Sequence, residues 1–213
     1  MRYEKVSTSI PDFSTFVGQR SNNNKPKFEF VMSYNLNWVH SQYATSAPLD
    51  YIFFWGHRAR KDGSIGKSCF SQWWISEFEH EGLKFNSAEQ WMMYGKAMLF
   101  QDKAVAQEIL DTPDPAQVKK LGRKVSGFDD PTWKAHRYEI VKQGNLLKFS
   151  QDEALRAYLL STGDEIIVEA SPYDRIWGIG LKADAKGIED PNTWQGLNLL
   201  GFAIMEVRDE LRK

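Results

Sequence analysis

Helix-start signals divide much of the chain into separate predicted helices. An N-cap at Asn86 or Ser87, with Glu89 or Gln90 three residues on, opens a helical pattern that is expected to reach about Leu110. Aspartate-proline pairs open two later helices, because proline is favoured in the first turn of a helix. The later helices are predicted at about 115–125, 131–148, 151–161 (with a capping box of Ser150 and Glu153, and Gly163 as the C′ residue) and 195–211. The chain is therefore expected to be helix-rich.

A few short strands are predicted beside these helices. Residues 51–55 form an apolar run that ends at Gly56, and residues 165–170 alternate as a half-buried strand does. Further extended segments are predicted at 27–32 and 69–78, and a short turn followed by a strand is predicted at 80–85. Residues 1–50 are rich in Ser, Asn and Thr, and we interpret them as a loop-rich N-terminal extension with short strands. Residues 51–213 are predicted to form one domain, so that the fold class is α+β and helix-rich.

Composition excludes several classes of function. The formal net charge of -1 gives no global basic field for non-specific nucleic-acid binding, although a local basic patch stays open. Cys69 is the single cysteine, so no intrachain disulfide can form. The four histidines lack metal-ligand spacing, and neither a metal nor a cofactor is predicted. No signal-peptide core and no long apolar run is visible, so we expect a cytoplasmic protein without a membrane partner.

The first predicted helix carries two charges on an otherwise apolar face. Glu89 and Lys96 share this face with Met92, Met93, Leu99 and Phe100. Their Cα atoms are expected about 10 Å apart along the helix axis. Burying either charge is costly unless it is paired, so the pattern favours a polar cleft. Taken alone, Glu89 is also explained as a capping-box residue, and Lys96 as a lysine whose head reaches water.

The run SPYDRIWGIG at 171–180 combines an acid, a base and an indole within a few residues. Asp174 beside Trp177 suits a flat ligand whose bond breaks as positive charge develops. Gly178 and Gly180 are expected where another group comes close or where the backbone needs positive φ. The alternative is a tight turn in which Asp174 caps a backbone N–H and Trp177 lies in the core.

The last two long helices each place a cation on an apolar face. In the helix after Asp130-Pro131 the cation is Arg137, on a face that begins with Trp133 and has Lys148 alongside. In the last helix the cation is Arg208. A buried arginine needs an acid or a phosphate as its partner. A structural salt bridge from Arg208 to Asp174 or Glu169 is the common explanation.

Six ordered blocks resemble the YbiA-like, or NADAR, family over about residues 50–212. These blocks are FFWG at 53–56, SAEQWMMYGKAMLF at 87–100, LGRKVSGFDDPTW at 121–133, LLKFSQ at 146–151, LLSTGDEIIVEASPYDRIWGIGL at 159–181 and WQGLNLLGFAIMEVRDEL at 194–211. The resemblance implies a compact single YbiA-like domain and an N-glycosidase. It implies two substrate classes: ADP-ribosyl-guanine, free or within nucleic acid, and the ribosylamino-pyrimidine phosphates of riboflavin biosynthesis.

Carried over residue by residue, the resemblance implies catalytic roles for Glu89, Lys96 and Asp174. It implies substrate binding by Trp133, Trp177 and Asn198, and we predict the same role for Trp55, Gly56, Ser71, Gly178 and Arg208, the last as a phosphate ligand. Arg123 and His57 are further candidates for binding a phosphate. The chain departs from the family where Ser71 is followed by Gln72 instead of asparagine, which keeps the amide but lengthens its side chain.

Two chemical routes remain open at this point. In direct hydrolysis one carboxylate stabilises an oxocarbenium-like state or activates water, and a second group protonates the leaving amine. Glu89 and Asp174 supply the two carboxylates, and Asp174 is preferred as the acid or base nearest the bond. In the other route the sugar opens to an imine that Lys96 captures as a Schiff base, which needs a lowered lysine pKa that a neighbouring Glu89 would oppose. ADP-ribosyl-guanine is the preferred substrate and riboflavin precursors are the alternative. A non-catalytic module that binds ADP-ribose or nucleotides is the alternative from another class.

Overall fold

The computed structural model describes residues 32–45 and 47–213, so the predicted strand at 27–32 lies outside it apart from Met32. The described residues form seven α-helices and four short strands. In chain order these are α1 (Leu36–Ala44), β1 (Tyr51–Phe54), β2 (Phe78–His80), β3 (Leu83–Phe85), α2 (Ala88–Leu99), α3 (Lys103–Leu110), α4 (Pro115–Gly122), α5 (Asp130–Gln151), α6 (Glu153–Ser161), β4 (Ile166–Glu169) and α7 (Leu199–Leu211). The helix-rich α+β prediction is confirmed.

The start of α2 is fixed by a capping box between Ser87 and Gln90. The Ser87 hydroxyl accepts a hydrogen bond from the Gln90 backbone N–H at 3.2 Å. The Gln90 side-chain oxygen accepts one from the Asn86 N–H at 2.6 Å. Since Gln90 completes the box, the explanation of Glu89 as a capping residue is wrong, and Glu89 faces elsewhere.

The helix predicted up to Leu110 is divided into two. Gln101 has a φ of 60°, which a continuing α-helix does not allow. The Asp102 side chain then accepts a hydrogen bond from the Val105 N–H at 3.1 Å and caps α3. The apolar period continues through the break, because both helices cover the same core.

The prediction of an extended segment at 69–78 is mostly wrong. Residues 67–70 form a 3-10 helix, and β2 begins only at Phe78. Lys148 of α5 is fully buried and donates hydrogen bonds to the carbonyls of Cys69 and Ser71, so this segment bends around its ammonium group. A contact with a distant helix decides the local conformation here.

Several helix boundaries also differ from the prediction, and α7 begins at Leu199 instead of about residue 195. Helix α4 ends at Gly122 instead of Val125. Asp152 caps α6, because its side chain accepts from the Ala154 and Leu155 N–H groups at 3.0 Å, whereas Ser150 lies within α5. Two other predictions are confirmed, because β1 ends before Gly56 and Gly163 follows α6 with a φ of 53°.

Helix α2 lies at the centre of the core and packs against α3, α4 and α5, while α5 packs against α7. Trp91 of α2 is buried, and its indole N–H donates to the Ile140 carbonyl of α5 at 2.8 Å. Gly144 of α5 lies directly against this indole, where a β-carbon would overlap the ring. The close approach of α2 and α5 fixes the face of α2 that carries Glu89 and Lys96.

Strands β1 and β4 pair in parallel, with Tyr51 opposite Ile166 and Phe54 opposite Glu169. The carboxyl ends of parallel strands lie at the same edge. The segments that follow the two strands, Trp55-Gly56 and 170–180, therefore begin side by side. Strands β2 and β3 form a separate antiparallel pair.

Part of the predicted N-terminal extension forms a helix. Helix α1 spans Leu36–Ala44 and places Val39 in the core. Just before it, the Tyr34 hydroxyl donates to Asp209 of α7 at 2.6 Å. Within the described ranges no helix has the length and apolar character that a membrane crossing requires.

Asn198 links β4 to the start of α7. It is fully buried, accepts from the Glu169 N–H at 3.0 Å and donates to the Ile167 carbonyl at 3.0 Å. Its φ of 51° is one that asparagine tolerates better than most residues. The side chain thereby replaces a neighbouring strand along one edge of β4.

We expect Asn198→Ala to lower the free energy of unfolding by about 2 to 4 kcal/mol, because it leaves two buried backbone groups unpaired. The measurement is urea denaturation followed by tryptophan fluorescence. Asn192→Ala, at an exposed position, is the matched control and should change stability by less than about 0.5 kcal/mol. Equal effects of the two substitutions would contradict this role of Asn198.

Candidate active site

A cavity of about 580 Å³ opens where the ends of β1 and β4 meet α2 and α5. Eight of the predicted site residues line it: Trp55, Gly56, Ser71, Glu89, Lys96, Trp133, Asp174 and Trp177. The three predicted catalytic residues therefore share one cavity. Three predicted binding residues lie outside its lining: Gly178, Asn198 and Arg208.

Glu89 lies in the first turn of α2 with only 2% of its surface exposed. Its backbone N–H donates to the Gln72 carbonyl at 2.9 Å, and its carboxylate accepts a hydrogen bond from the Trp73 indole. The Oε1 atom is buried without a hydrogen-bond partner among the described residues. Burial raises the pKa of Glu89 to about 7, even though Lys119 and Trp73 act in the opposite direction.

Lys96 lies farther along the same face of α2. Its Nζ donates to the Gly122 carbonyl at 2.8 Å and lies 4.3 Å from the centre of the Phe128 ring and 5.8 Å from that of Trp133. Burial lowers the pKa of Lys96. The expected opposing effect of Glu89 on the Lys96 pKa is not what the structure shows, because burial is the cause of the Lys96 shift and the cation with the largest effect on the Glu89 pKa is Lys119 of α4.

Asp174 shapes the loop that follows β4. Its Oδ1 accepts hydrogen bonds from the Ile176 and Trp177 N–H groups at 2.8 and 2.7 Å. The turn interpretation of Asp174 is thus confirmed, and the residue also lines the cavity. A carboxylate that closes its own loop in this way is held in a fixed position.

The two glycines of this loop act through the backbone. A β-carbon on Gly178 would lie 2.7 Å from the Glu169 carbonyl, and Gly180 has a φ of 70°. The expected close approach is thus confirmed at Gly178, and the expected positive φ is confirmed at Gly180. Gly178 thus allows the loop to approach β4 and is not part of the cavity lining.

Gln72 is held in one orientation at the cavity wall. Its Oε1 accepts from the Asn145 side chain at 2.8 Å, and the same Asn145 group donates to the Val141 carbonyl at 2.8 Å. The Gln72 Nε2 is buried and has no hydrogen-bond partner in the described part of the chain. The longer amide at this position therefore offers a donor to a ligand.

Arg208 serves the fold and does not reach the cavity. It is 2% exposed and donates to the Thr162 hydroxyl at 2.9 Å and to the Glu165 carbonyl at 2.8 Å. The salt bridge expected with Asp174 or Glu169 is therefore wrong. The apolar stripe of α7 packs on β4, so a cation on that stripe meets the turn before the strand.

Several lining residues were not predicted as site residues. They are Gln72, Trp73, Met92, Met93, Lys119, Glu169, Ser171, Tyr173, Ile176 and Leu200. The sequence could have indicated two of them. Glu169 ends the alternating strand, and Tyr173 lies within the loop that holds Asp174. Nothing in the sequence indicated Lys119 as a site residue, because its helix does not place a charge within an apolar stripe. Among the phosphate candidates, His57 lines the cavity and Arg123 does not.

The described residues contain no group of three or more His, Cys, Asp or Glu side chains arranged to hold a metal ion. The cavity holds two carboxyl groups of raised pKa, Glu89 and Glu169, together with a third carboxylate, two lysines and several aromatic rings. Such a set suits acid-base catalysis on a flat ligand.

Known proteins are similar to the part of the chain that forms this cavity. The NADAR domain family matches residues 53–212. N-glycosidase R617 of Acanthamoeba polyphaga mimivirus is 43% identical over 165 residues, which cover 75% of this chain and 95% of that protein. The chloroplastic riboflavin biosynthesis protein PYRR of Zea mays is 30% identical over 115 residues, covering 52% of this chain and 17% of that protein.

The fold also matches a solved structure. The NMR structure of Escherichia coli YbiA aligns with a TM-score of 0.59 and 24% identity, covering 78% of this chain and 88% of that one. The chain belongs to the NADAR family. It is an enzyme of the N-glycosidase class, a hydrolase of N-glycosyl bonds.

The buried Glu89 carboxyl should make stability depend on pH. The folded pKa of about 7 lies above the ordinary value of 4.5, so the folded state loses stability as pH rises between these values. We expect Glu89→Gln to unfold like wild type at pH 4. At pH 8 its free energy of unfolding should be greater by on the order of 1 to 3 kcal/mol.

The measurement is urea denaturation at both pH values. Glu108→Gln, at an exposed position on α3, is the control and should follow the wild-type pH dependence. Parallel pH profiles for wild type and Glu89→Gln would show that the folded pKa is not raised.

Proposed function

We propose that this enzyme hydrolyses the bond between ribose C1 and an exocyclic base amine, and that it removes ADP-ribose from ADP-ribosylated guanine, free or in nucleic acid. The observation that carries the proposal is the shared cavity, in which Glu89, Lys96 and Asp174 lie among the indoles of Trp133 and Trp177. Indole rings stack on flat bases, and the charged groups act on the adjoining sugar carbon.

In direct hydrolysis, positive charge develops at C1 as the C–N bond lengthens. Asp174 is the carboxylate that we assign to stabilising this charge and to accepting a proton from the attacking water. Its fixed Oδ1 contacts mean that little reorganisation is needed during the reaction. Glu89 is assigned to a ribose hydroxyl, because its Oε1 is buried and has no partner among the described residues.

The imine route gives Lys96 the role of nucleophile. Burial lowers its pKa, which raises the fraction of free amine at neutral pH, and its Nζ is anchored by the Gly122 carbonyl. Glu89 acts mainly with Lys119 and so does not oppose this route in the way the sequence suggested. The structure is therefore more favourable to a lysine nucleophile than the sequence was.

The cavity rim supports the larger of the two substrate classes. Trp55 is 55% exposed and Tyr173 is 84% exposed, their ring centres are 6.0 Å apart, and Ile176 beside them is 42% exposed. Exposed aromatic rings at the mouth of a pocket suit a second flat group outside it. ADP-ribosyl-guanine has such a group in its adenine, whereas a ribosylamino-pyrimidine phosphate has only one ring.

Riboflavin precursors remain the alternative substrate. The similarity to a segment of the maize riboflavin biosynthesis protein favours them, and a ribosylamino-pyrimidine shares the same C1–amine bond. We further propose a cytoplasmic location, and that residues 51–213 form the catalytic domain with 1–50 as its extension.

A two-substrate assay tests the choice of substrate. We expect wild type to cleave an ADP-ribosylated guanine oligonucleotide with a higher kcat/KM than a ribosylamino-pyrimidine phosphate, because only the former reaches the rim. Tyr173→Ala should lower kcat/KM about tenfold on the former and leave the latter unchanged. Tyr43→Ala, an exposed tyrosine on α1, is the control. Cleavage of the pyrimidine alone would refute the guanine assignment.

Borohydride trapping tests the role of Lys96. If the imine route holds, reduction during turnover should attach the sugar to the wild-type enzyme, and mass spectrometry should locate it on Lys96. Lys96→Arg keeps the cation but should abolish both the adduct and turnover. Lys103→Ala, at an exposed position, should retain both. Turnover by Lys96→Arg without an adduct would eliminate this route.

A further inference from the structure

The last residue of β4, Glu169, presents a carboxyl group to the cavity. Its backbone is held on both sides, because its N–H donates to the Asn198 side chain at 3.0 Å and its carbonyl accepts from the Ile179 N–H at 2.9 Å. The residue lines the cavity together with Glu89 and Asp174. It is partly exposed as a whole, but its Oε2 is buried and has no hydrogen-bond partner among the described residues.

The groups that face Glu169 come from three elements. Asp174 of the following loop and Glu89 of α2 are acids, and Lys119 of α4 is the one cation among the groups that act on it. Burial is the largest effect on its pKa, and the two acids add to it. Together they raise the pKa of Glu169 to about 8. At neutral pH this carboxyl therefore carries a proton.

Glu89 and Asp174 are less well placed than Glu169 to donate a proton. The Glu89 carboxylate accepts the Trp73 indole N–H, and its pKa of about 7 is lower. Asp174 accepts two backbone N–H groups through Oδ1, so this oxygen is already engaged in holding its own loop. The environments of the carboxyl groups differ, and such a difference divides acid and base roles between them.

We propose that Glu169 is the general acid that protonates the leaving base amine. The inference rests on the proposed N-glycosidase function of the cavity. The C1–N bond breaks, its electron pair goes to the exocyclic nitrogen, and the Glu169 proton goes to the same nitrogen. Water oxygen bonds to C1 and gives its proton to the Asp174 carboxylate. Proton exchange with solvent then restores the acid Glu169 and the anion Asp174.

The same acid serves the imine route. There the ring C1–O bond breaks and a proton moves from the exocyclic nitrogen to the ring oxygen, which leaves an imine between C1 and the base. The Lys96 amine adds to C1 and passes one proton to the base nitrogen. The C1–base bond then breaks, the departing amine takes the proton of Glu169, and water hydrolyses the lysine iminium and returns a proton to Glu169. In either route the exocyclic amine is a poor leaving group until it is protonated. A substrate whose leaving group departs as a stable anion does not need this acid.

Leaving-group dependence is the test. We expect Glu169→Gln to lower kcat/KM at pH 7 by about 100-fold or more on a guanine-amine or pyrimidine-amine riboside. On ADP-ribose joined at C1 to 4-nitrophenol the loss should be less than about threefold, because nitrophenolate leaves without a proton. Glu189→Gln, at an exposed position, should match wild type on both substrates. An equal loss on the two substrates, or no loss on either, would overturn the assignment.

The pH profile is an independent readout. Wild-type kcat/KM on the amine substrate should fall as pH rises through about 8, and Glu169→Gln should lack this fall. Glu169→Asp, which keeps an acid on a shorter chain, should lose less than Glu169→Gln, and thermal unfolding checks that both variants fold. If the wild type cleaves neither amine, the proposed function itself fails. If it does and Glu169→Gln is as active, only the role of Glu169 fails.

Discussion

The parallel pairing of β1 with β4 determines where the cavity lies. It places Phe54 opposite Glu169, so that the segments after both strands begin at one edge. Asn198 fixes the other side of β4 through its hydrogen bonds to Glu169 and Ile167. Without this short pair, the loop that carries Asp174 and the rim residue Trp55 would not be held side by side.

Burial of charged groups is the physical cost of this site. Glu89 and Glu169 have raised pKa values because the core of the protein surrounds them, and Lys96 has a lowered one for the same reason. Fully buried Lys148, whose pKa burial lowers to about 8, holds the carbonyls of Cys69 and Ser71 and so positions the segment with Gln72. The desolvation that disfavours the charged forms of these groups also shifts their pKa values towards neutral pH, which suits acid-base chemistry.

Local signals in the sequence were reliable where a few neighbouring residues decide the conformation. The capping box at Ser87, the position of Gly163 and the loop glycines at 178 and 180 depend on backbone geometry within one or two turns. Predictions failed where distant partners decide. Lys148 bends residues 69–71, and Arg208 meets Thr162 instead of an acid in the cavity.

The order of residues alone is enough to predict the helical period that brings Glu89 and Lys96 onto one face, and the turn that holds Asp174. These follow from the geometry of a single helix or loop. The folded structure is needed to show that Lys119, and not Lys96, acts most strongly on Glu89, and that Glu169 joins the two other acids. Charge interactions depend on distance through space and on burial, and neither quantity is contained in the order of residues along a chain.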